Sequence, residues 1–325
     1  MFHLKICSGL VAAAAMLASP LLYADPVSGA PDASSSPSAR MVAGGKLPSS
    51  LPDESSSLDI TTKMANLLVT AKENGEVMRL YGNWKSGDKA AIGQIFAAAR
   101  NGNARAQNLA GYMLDNGEGV KQDSKAAASY FEHAATQVPL ARYNLGLLYY
   151  YGRGVPRDQA RAADLFKKSA VSAGVVQACV LLSLYYLQNR DEEDAYKWAN
   201  EGSNRGNIKA FYLLGRILYQ RRQFRDARMW IEKAASASEP NAPAILSRMY
   251  TDGSGIDRNS VMGAAWWLIY TGLNRNHLGS GVAAISSFGL AADDQRRATA
   301  FANNWLSTHT ESRRVDYRKS LLQSS

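Results

Sequence analysis

Apolar residues recur along this chain in two interleaved series, each with a period of a little over thirty residues. In the first series, an alanine is followed five residues later by glycine or serine, at intervals of 35, 37, 32 and 32 residues. In the second, an alanine is followed three residues later by a large aromatic residue. The first series is Ala106/Gly111, Ala141/Gly146, Ala178/Ser183, Ala210/Gly215 and Ala242/Ser247, and the second is Ala128/Phe131, Ala163/Phe166, Ala195/Trp198, Ala227/Trp230 and Ala264/Trp267.

The interleaving predicts that every unit contains two helices, A and then B. Small residues let the helices approach closely, and we expect the large aromatic residue to fill the gap between neighbouring units. A single helix pair cannot bury both of its faces, so the units must stack on one another. The pattern therefore predicts an all-α solenoid.

Three of the units join their two helices through a Gly-x-Gly loop, within residues 116–120, 151–155 and 252–256. The first glycine suits a left-handed helix cap and the second a tight loop. An aspartate follows each loop and is predicted to cap helix B, at Asp123, Asp158 and Asp257. No Gly-Lys-Ser/Thr follows the glycines, which argues against a phosphate-binding loop.

The second unit carries a clear family resemblance, from Ala141 through Gly146, Gly152 and Gly154 to Asp158. It resembles the Sel1-like repeat family, a branch of the tetratricopeptide-like solenoids. The units that begin near residues 175 and 207 lack the Gly-x-Gly loop, and shorter turns are expected there, at residues 189–191 and 221–223. The resemblance implies a right-handed superhelical solenoid that acts as an adaptor and holds a partner on its concave face.

The chain divides into five predicted regions. Residues 1–24 have a basic start, an apolar run and small residues before Asp25, as in a secretory signal peptide, and Cys7 comes too early for a lipoprotein signal. Residues 25–57 are rich in serine and proline and are predicted to be a disordered linker. The others are N-terminal capping helices (58–101, with helices at 59–81 and 88–100), the repeat array (102–273), and a C-terminal region (274–325) with a capping helix at 291–309 and a basic tail.

This organisation predicts export. No stretch after residue 24 reaches the roughly 18 apolar residues that a transmembrane helix needs. We therefore expect a periplasmic protein, with secretion from the cell as the alternative.

Residues arranged for catalysis or metal binding are scarce. The histidines after residue 24 are His133, His277 and His309, and none lies in a His-Glu-x-x-His pattern. No Gly-x-Ser-x-Gly motif occurs, and Cys179 would be the single cysteine after cleavage. We expect no catalytic residues, no metal site, no cofactor and no enzymatic activity.

A binding groove can be predicted from the tetratricopeptide alignment, which places positions two, six, nine and ten after each leading alanine on the groove side. Tyrosine and arginine recur at these positions, and both are enriched where interfaces derive their binding energy. The alternative is that helix packing buries several of these rings. The candidate groove residues are Tyr112, Tyr143, Tyr150, Tyr151, Tyr212, Arg216, Tyr219 and Arg248.

The positive charge of the chain is concentrated in its C-terminal part. The formal net charge is +9; residues 25–204 contain 19 basic and 19 acidic residues, and residues 205–325 contain 17 and 9. Such an excess suits an acidic protein, anionic lipid or cell-wall polymer, or forms a solvated face, whereas export argues against nucleic acid. The predicted basic patch consists of Arg221, Arg222, Arg225 and Arg228.

The leading functional hypothesis is a periplasmic scaffold that binds another protein of the cell envelope, in a secretion, pilus or motor assembly. One alternative is binding of peptidoglycan or regulation of a cell-wall enzyme, with tyrosines stacking on sugars. Another is a secreted virulence effector that binds a host protein.

Overall fold

The computed structural model describes residues 75–171, 175–274, 285 and 288–322, with side chains described up to residue 309. The predicted signal peptide, the predicted linker and the first part of the predicted N-terminal cap (58–74) lie outside the described residues.

The described residues form thirteen α-helices and no strand, which confirms the all-α prediction. Twelve short helices and one long one follow each other, and each contacts the next along the chain. They are α1 (Gly75–Lys85), α2 (Ala90–Arg100), α3 (Ala104–Asn116), α4 (Ser124–Ala134), α5 (Pro139–Tyr151), α6 (Gln159–Ala170), α7 (Gln177–Gln188), α8 (Glu192–Asn204), α9 (Ile208–Gln220), α10 (Phe224–Ser236), α11 (Ala242–Asp252), α12 (Ser260–Leu273) and α13 (Ala292–Leu322).

The helices pack as pairs, and successive pairs stack. Helices α3 to α12 form five A/B pairs, which we number as repeats 1 to 5, and each B helix packs on the A helix of the next repeat. Helices α1 and α2 form a further pair in front of repeat 1, and α13 packs on α12. One continuous apolar core runs through the stack from Val77 to Trp305. Each repeat therefore depends on its neighbours for burial, as expected for a solenoid.

The ends of the A helices follow the predicted glycine signals. Gly117, Gly152 and Gly253 adopt left-handed conformations, with φ of 70°, 72° and 73°, and cap α3, α5 and α11. Each donates its backbone N–H to a carbonyl one turn back, which satisfies a helix-end acceptor. In repeats 3 and 4 the left-handed residue is an arginine one position later, after Asn189 and Arg221: Arg190 and Arg222, both with φ of 60°.

The second glycine of each loop allows contact with the preceding helix pair. A Cβ on Gly154 would overlap the backbone of Ser124, at the start of α4. A Cβ on Gly255 would lie 2.6 Å from the Cβ of Phe224, at the start of α10. The loop of repeat 1 packs in the same way on the α1–α2 pair, where Trp84 lies against Gly119. The α1–α2 pair thus occupies the place of a preceding repeat.

Helix B begins at the predicted aspartate in two of the three loop-containing repeats. Asp123 and Asp158 accept hydrogen bonds from the backbone N–H groups of Ala126 and Arg161. In repeat 5 the prediction is wrong: the cap of α12 is Asn259, two residues after Asp257, and it accepts from Met262. Both side-chain types offer the oxygen that a cap requires, and in all three repeats the cap lies at the same distance after the second loop glycine, as Asp123, Asp158 and Asn259.

The contact between the A and B helices of one repeat takes two forms. In repeats 1 and 2 the phenyl edges of Phe131 and Phe166 fill the slots beside Gly111 and Gly146, where a Cβ would come within 2.7 and 2.6 Å of a ring carbon. In repeats 3 and 5 a buried serine takes the glycine position and donates a hydrogen bond to a carbonyl of helix B, Ser183 to Ala195 and Ser247 to Gly263.

The prediction placed the aromatic residue between neighbouring units, whereas the slots filled by Phe131 and Phe166 lie inside one repeat, and repeat 4 differs further. The slot beside Gly215 is filled by Ile231, whose Cδ1 would lie 2.7 Å from an added Cβ. Trp230, the predicted gap filler, instead stacks on Phe211 with ring centroids 5.5 Å apart. The slot accepts the slimmer branched side chain, and the indole packs alongside it.

The last helix closes the array at its C-terminal end. Ala298, Ala302 and Trp305 of α13 are buried, and Leu306 fills the space beside Gly272 of α12. Trp305 meets Trp266 of α12 edge to face, with ring centroids 5.9 Å apart. Within the described residues, no helix is long and apolar enough to span a membrane.

Candidate interaction face

Position two after the leading alanine forms a buried floor beneath the predicted groove. It holds Asn108, Tyr143, Val180, Tyr212 and Ala244, each no more than 9% exposed. Tyr143 and Tyr212 are fully buried: the Tyr143 ring packs on Phe166 at a centroid distance of 5.7 Å, and the Lys209 ammonium lies 5.3 Å from the Tyr212 ring centroid. A partner cannot reach these two rings, which corrects their prediction as contact residues. Both rings belong to the apolar core, where packing requires their volume.

Positions six, nine and ten of the five A helices lie above this floor, and we call them the A-face. Its exposure increases along the chain. At position six, Tyr112 and Leu147 of the first two repeats are buried, whereas Leu184, Arg216 and Arg248 of the last three are half-buried.

The Tyr112 hydroxyl is part of a cluster around Glu118, the residue between the two loop glycines of repeat 1. Tyr81 and Tyr112 donate hydrogen bonds of 2.7 and 3.1 Å to its two carboxylate oxygens, and the Lys85 ammonium lies 3.2 Å from it. The same ammonium lies 4.6 Å from the centroid of the Trp84 ring. Tyr112 therefore ties repeat 1 to α1, instead of standing free for a partner as predicted.

Ionisation within this cluster is set by its contacts. Burial, reinforced by the neighbouring carboxylate, raises the pKa of both Tyr81 and Tyr112, so both remain hydrogen-bond donors. Burial also raises the pKa of Glu118, but hydrogen bonds from Tyr81, Lys85 and Tyr112 outweigh it, and the net pKa lies below its ordinary value. The carboxylate is thus held in its charged form. Sequence reasoning missed this residue, although its place between two loop glycines distinguishes it.

Position nine links successive repeats. Asp115 of repeat 1 is buried, accepts a hydrogen bond from Ser124 at 2.8 Å, and pairs with Arg153 in the loop of repeat 2 at 2.9 Å. Tyr150 of repeat 2 accepts a hydrogen bond of 3.4 Å from Gln188 of repeat 3.

Tyr219 makes the corresponding link from repeat 4 to repeat 5. It is half-buried, and burial is the main reason why its pKa is raised. A hydrogen bond with Ser254 in the loop of repeat 5 and the nearby Arg248 lower it in part, and Asp252 raises it. The ends of α9 and α11 are therefore neighbours on the A-face.

Tyr151 is the most exposed of the predicted tyrosines, at 41%. Its ring meets that of Tyr150 edge to face at 5.0 Å between centroids, and the Arg153 guanidinium lies 5.6 Å from it. Of the eight predicted groove residues, the structure thus brings Tyr150, Tyr151, Arg216, Tyr219 and Arg248 to reachable positions on the A-face.

The predicted basic patch does not act as one cluster of four. Arg221 pairs with Glu193 at 2.8 Å, and its guanidinium lies 4.8 Å from the centroid of the Tyr196 ring. Arg228 pairs with Glu232 at 2.7 Å on its own helix. Arg222 and Arg225 are exposed. The free positive surface of this patch is therefore smaller than the sequence predicts.

Candidate chemistry is limited in the described part of the chain. There, no group of three or more His, Cys, Asp or Glu side chains is placed to hold a metal ion. Cys179 is buried as a free thiol, and burial raises its pKa to about 11, so it stays protonated at neutral pH.

The repeat units coincide with five matches to the family model for the Sel1 repeat. The matched residues are 104–137, 139–170, 176–207, 209–239 and 244–269. The chain is a Sel1 repeat protein. Each match covers one A/B pair, so the two repeats with short turns are Sel1 repeats as well.

Solved structures share the fold of this Sel1 repeat protein. A protective antigen present in uropathogenic Escherichia coli strains, which displays an SLR fold, matches 70% of the chain with a TM-score of 0.63 and 23% identity. The match spans only 51% of that antigen. A Sel1 repeat protein from Oxalobacter formigenes matches 73% of the chain, and 97% of its own, with a TM-score of 0.58 and 20% identity. A comparison with curated proteins gave no match.

Proposed function

We propose that this Sel1 repeat protein is a non-enzymatic scaffold that binds another protein through the A-face of repeats 2 to 5. One observation carries the proposal: tyrosine, leucine and arginine side chains stand half-exposed on a floor of fully packed residues. A rigid floor lowers the entropy cost of binding, and tyrosine and arginine are frequent interface anchors.

We further propose that the scaffold works in the periplasm, with a partner in a secretion, pilus or motor assembly of the cell envelope. The layout of residues 1–24 as a signal peptide supports export. Cell fractionation and intact-mass measurement test the location. The protein is expected in the periplasmic fraction without residues 1–24, and a cytoplasmic protein that retains them would refute this part.

Photocrosslinking in cells tests the binding face. A photoreactive residue replaces Tyr151 or Gln220, which are both exposed at position ten, and in a matched control it replaces Met229, which is 55% exposed on helix α10. The same protein adduct is expected at Tyr151 and Gln220 and not at Met229. Adducts of equal strength at all three positions, or none on the A-face, would contradict the proposal.

A further inference from the structure

We propose that the middle of the A-face, in repeats 2 and 3, binds an uncharged segment of the partner protein through apolar anchor side chains. The surface consists of Tyr150 and Tyr151 of repeat 2 and Leu184 and Leu187 of repeat 3, and we call it the apolar strip. The inference rests on the proposed scaffold function and adds the chemistry of the bound segment.

The order of side chains along the A-face follows from helix geometry and from observed contacts. Successive residues are about 100° apart around a helix, so position six lies between positions ten and nine. Gln188, at position ten of repeat 3, donates a hydrogen bond to Tyr150, at position nine of repeat 2. Asp252, at position ten of repeat 5, likewise lies near Tyr219, at position nine of repeat 4. Each repeat therefore presents positions ten, six and nine in that order toward the C-terminal end of the array.

The middle of the A-face carries no charge at these three positions. From repeat 2 to the start of repeat 4, they follow one another as Tyr151, Leu147, Tyr150, Gln188, Leu184, Leu187 and Gln220. Charged side chains begin on either side of this stretch and in the turn after α7. They are Asp115 and Arg153, which neutralise each other, the exposed Arg190, and Arg216, Asp252 and Arg248 of repeats 4 and 5. A charged side chain covered by the stretch would lose its hydration without finding an opposite charge, so the stretch favours an uncharged occupant.

The apolar strip is accessible, and its side chains are held by their neighbours. They are half-buried or, at Tyr151, 41% exposed, so each keeps apolar surface within reach of a partner. The Tyr150 ring meets those of Tyr151 and Phe166 at centroid distances of 5.0 and 6.3 Å. Side chains restrained in this way lose little rotamer freedom on binding, which lowers the entropy cost of association.

The junction between α5 and α7 lies inside the apolar strip. Among the A helices of the repeats, α3 packs directly on α5 and α7 on α9, whereas α5 packs more sparsely on α7, as does α9 on α11. Tyr150 and Gln188 meet across the first of these sparser junctions in a hydrogen bond of 3.4 Å. Arg248 and Asp252 border the second, so of the two it is the first that offers uncharged surface from both helices. The main anchor of the bound segment is therefore assigned to the surface between Tyr150 and Leu184.

Selection from a random dodecapeptide library displayed on phage tests the chemistry of the occupant, with the immobilised full chain as bait. Selected peptides are expected to be enriched in leucine, isoleucine or aromatic residues, and not in charged residues. Because salt screens charge attraction, the affinity of a selected peptide in fluorescence anisotropy should change less than about threefold between about 50 and 500 mM NaCl. Enrichment of acidic or basic residues, or selection of no peptides, would overturn the proposal.

A first pair of matched variants locates the binding surface. Leu184→Gln with Leu187→Gln is expected to weaken binding of the selected peptide about tenfold or more, because the anchor loses its apolar contacts. The control, Val171→Gln with Met229→Gln, makes the same kind of change at residues that are 76% and 55% exposed outside the A-face. It should leave the affinity nearly unchanged. Equal losses in the two double variants, or full binding by the first, would contradict the proposal.

A second pair introduces a charge without disturbing the core. Gln188 and Gln94 are both exposed, the first within the uncharged stretch and the second on helix α2. Gln188→Glu should weaken binding about tenfold, because a bound apolar segment covers the carboxylate without offering it a partner, whereas Gln94→Glu should not. This pair decides the matter if the leucine variants melt early, and wild-type affinity in Gln188→Glu would then refute the apolar strip.

The remaining outcomes identify a different occupant or separate this inference from the scaffold function. Sedimentation velocity should show the same species for the wild type and for Leu184→Gln with Leu187→Gln. A dimer that dissociates in this variant would assign the strip to a second copy of the chain and overturn the proposal. If crosslinking at Tyr151 and Gln220 yields a partner while apolar peptides fail to bind, the scaffold function stands and the apolar anchor is wrong. If crosslinking fails as well, both are wrong.

Discussion

Repeats 1 and 2 contain the same pair of packed helices as repeats 3 and 4, but the connection between the two helices differs. In repeats 1 and 2, a Gly-x-Gly loop joins the helices, and its side chains reach back over the A-face: Glu118 binds Tyr112, and Arg153 binds Asp115. In repeats 3 and 4, a short turn replaces the loop, and Leu184 and Arg216 remain half-exposed.

Side chains of a Gly-x-Gly loop can thus occupy the A-face where a partner would bind, as Glu118 and Arg153 do. A long loop supplies side chains that consume the hydrogen-bonding capacity of the A-helix ends. A short turn instead places arginine in a left-handed conformation, at Arg190 and Arg222, that glycine adopts more easily. At position six, the side chains of repeats 1 and 2 are buried and those of repeats 3 to 5 are half-buried.

The largest effect is expected from filling the space at the second loop glycine of repeat 2. Gly154→Ala places a Cβ against the backbone of Ser124, at a residue whose φ is 68°. Overpacking and the left-handed conformation together should lower the free energy of unfolding by about 3 kcal/mol. Urea denaturation followed by circular dichroism measures it.

Gly206→Ala is the matched control for this prediction. Its φ is 81°, but no atom lies within 4 Å of an added Cβ. It should cost only about 1 kcal/mol, the left-handed term alone. Equal losses in the two variants would show that the contact between repeats contributes nothing.

A smaller effect is expected at the carboxylate that fastens repeat 1 to helix α1. Glu118→Gln weakens the hydrogen bonds from Tyr81 and Tyr112 and removes the attraction to Lys85, and should cost about 1–2 kcal/mol at neutral pH. Because the folded-state pKa of Glu118 is lowered, its charged form stabilises the protein above the unfolded-state pKa of about 4.3. That stability is lost as the pH falls through the lower folded-state pKa.

Urea midpoints of the wild type and Glu118→Gln should therefore differ at pH 7 and converge in the acid range below about pH 4. Glu132→Gln is the control, since Glu132 is exposed and makes only long contacts, at 3.4 Å to Tyr149 and 4.0 Å to Arg161. A difference between wild type and Glu118→Gln that stays constant with pH would contradict the prediction.

The smallest expected effect has the opposite sign and concerns the short turn of repeat 4. Arg222→Gly relieves the left-handed conformation at φ of 60°, partly offset by the greater chain entropy of glycine, and should stabilise the protein by about 0.5 kcal/mol. Thermal unfolding of Arg222→Gly and of Arg222→Ala tests it, because alanine removes the same side chain without the relief. A lower melting temperature for the glycine variant than for the alanine variant would disprove it.

Much of the fold could be read from residue spacing. The alanine series located the A helices of all five repeats, and the loop glycines located the ends of α3, α5 and α11. Local rules were enough there, because a left-handed cap or a small residue at a helix contact depends on only a few neighbouring atoms. Where two local candidates competed, as at Asp257 and Asn259, residue type chose wrongly, whereas the distance from the second loop glycine, the same as for Asp123 and Asp158, selects Asn259.

The candidate site was less predictable. Tyr143 and Tyr150 are chemically the same and both lie on the groove side in the alignment, but one ring is fully buried and the other is half-exposed. Tyr143 packs on Phe166 of the other helix of its repeat, whereas Tyr150 meets Gln188 of the next repeat, so their burial is set by contacts between residues far apart in the sequence. The role of Glu118 is hidden for the same reason, since Tyr81 lies 37 residues away.

Helix periodicity, caps and close contacts depend on short-range patterns, and these patterns identify the protein as an array of helix pairs of the Sel1 type. Which of its tyrosines and arginines hold the array together, and which remain at the surface, depends on how the repeats pack in three dimensions. That division follows from stacking, since a side chain on one repeat is covered or left open by the next.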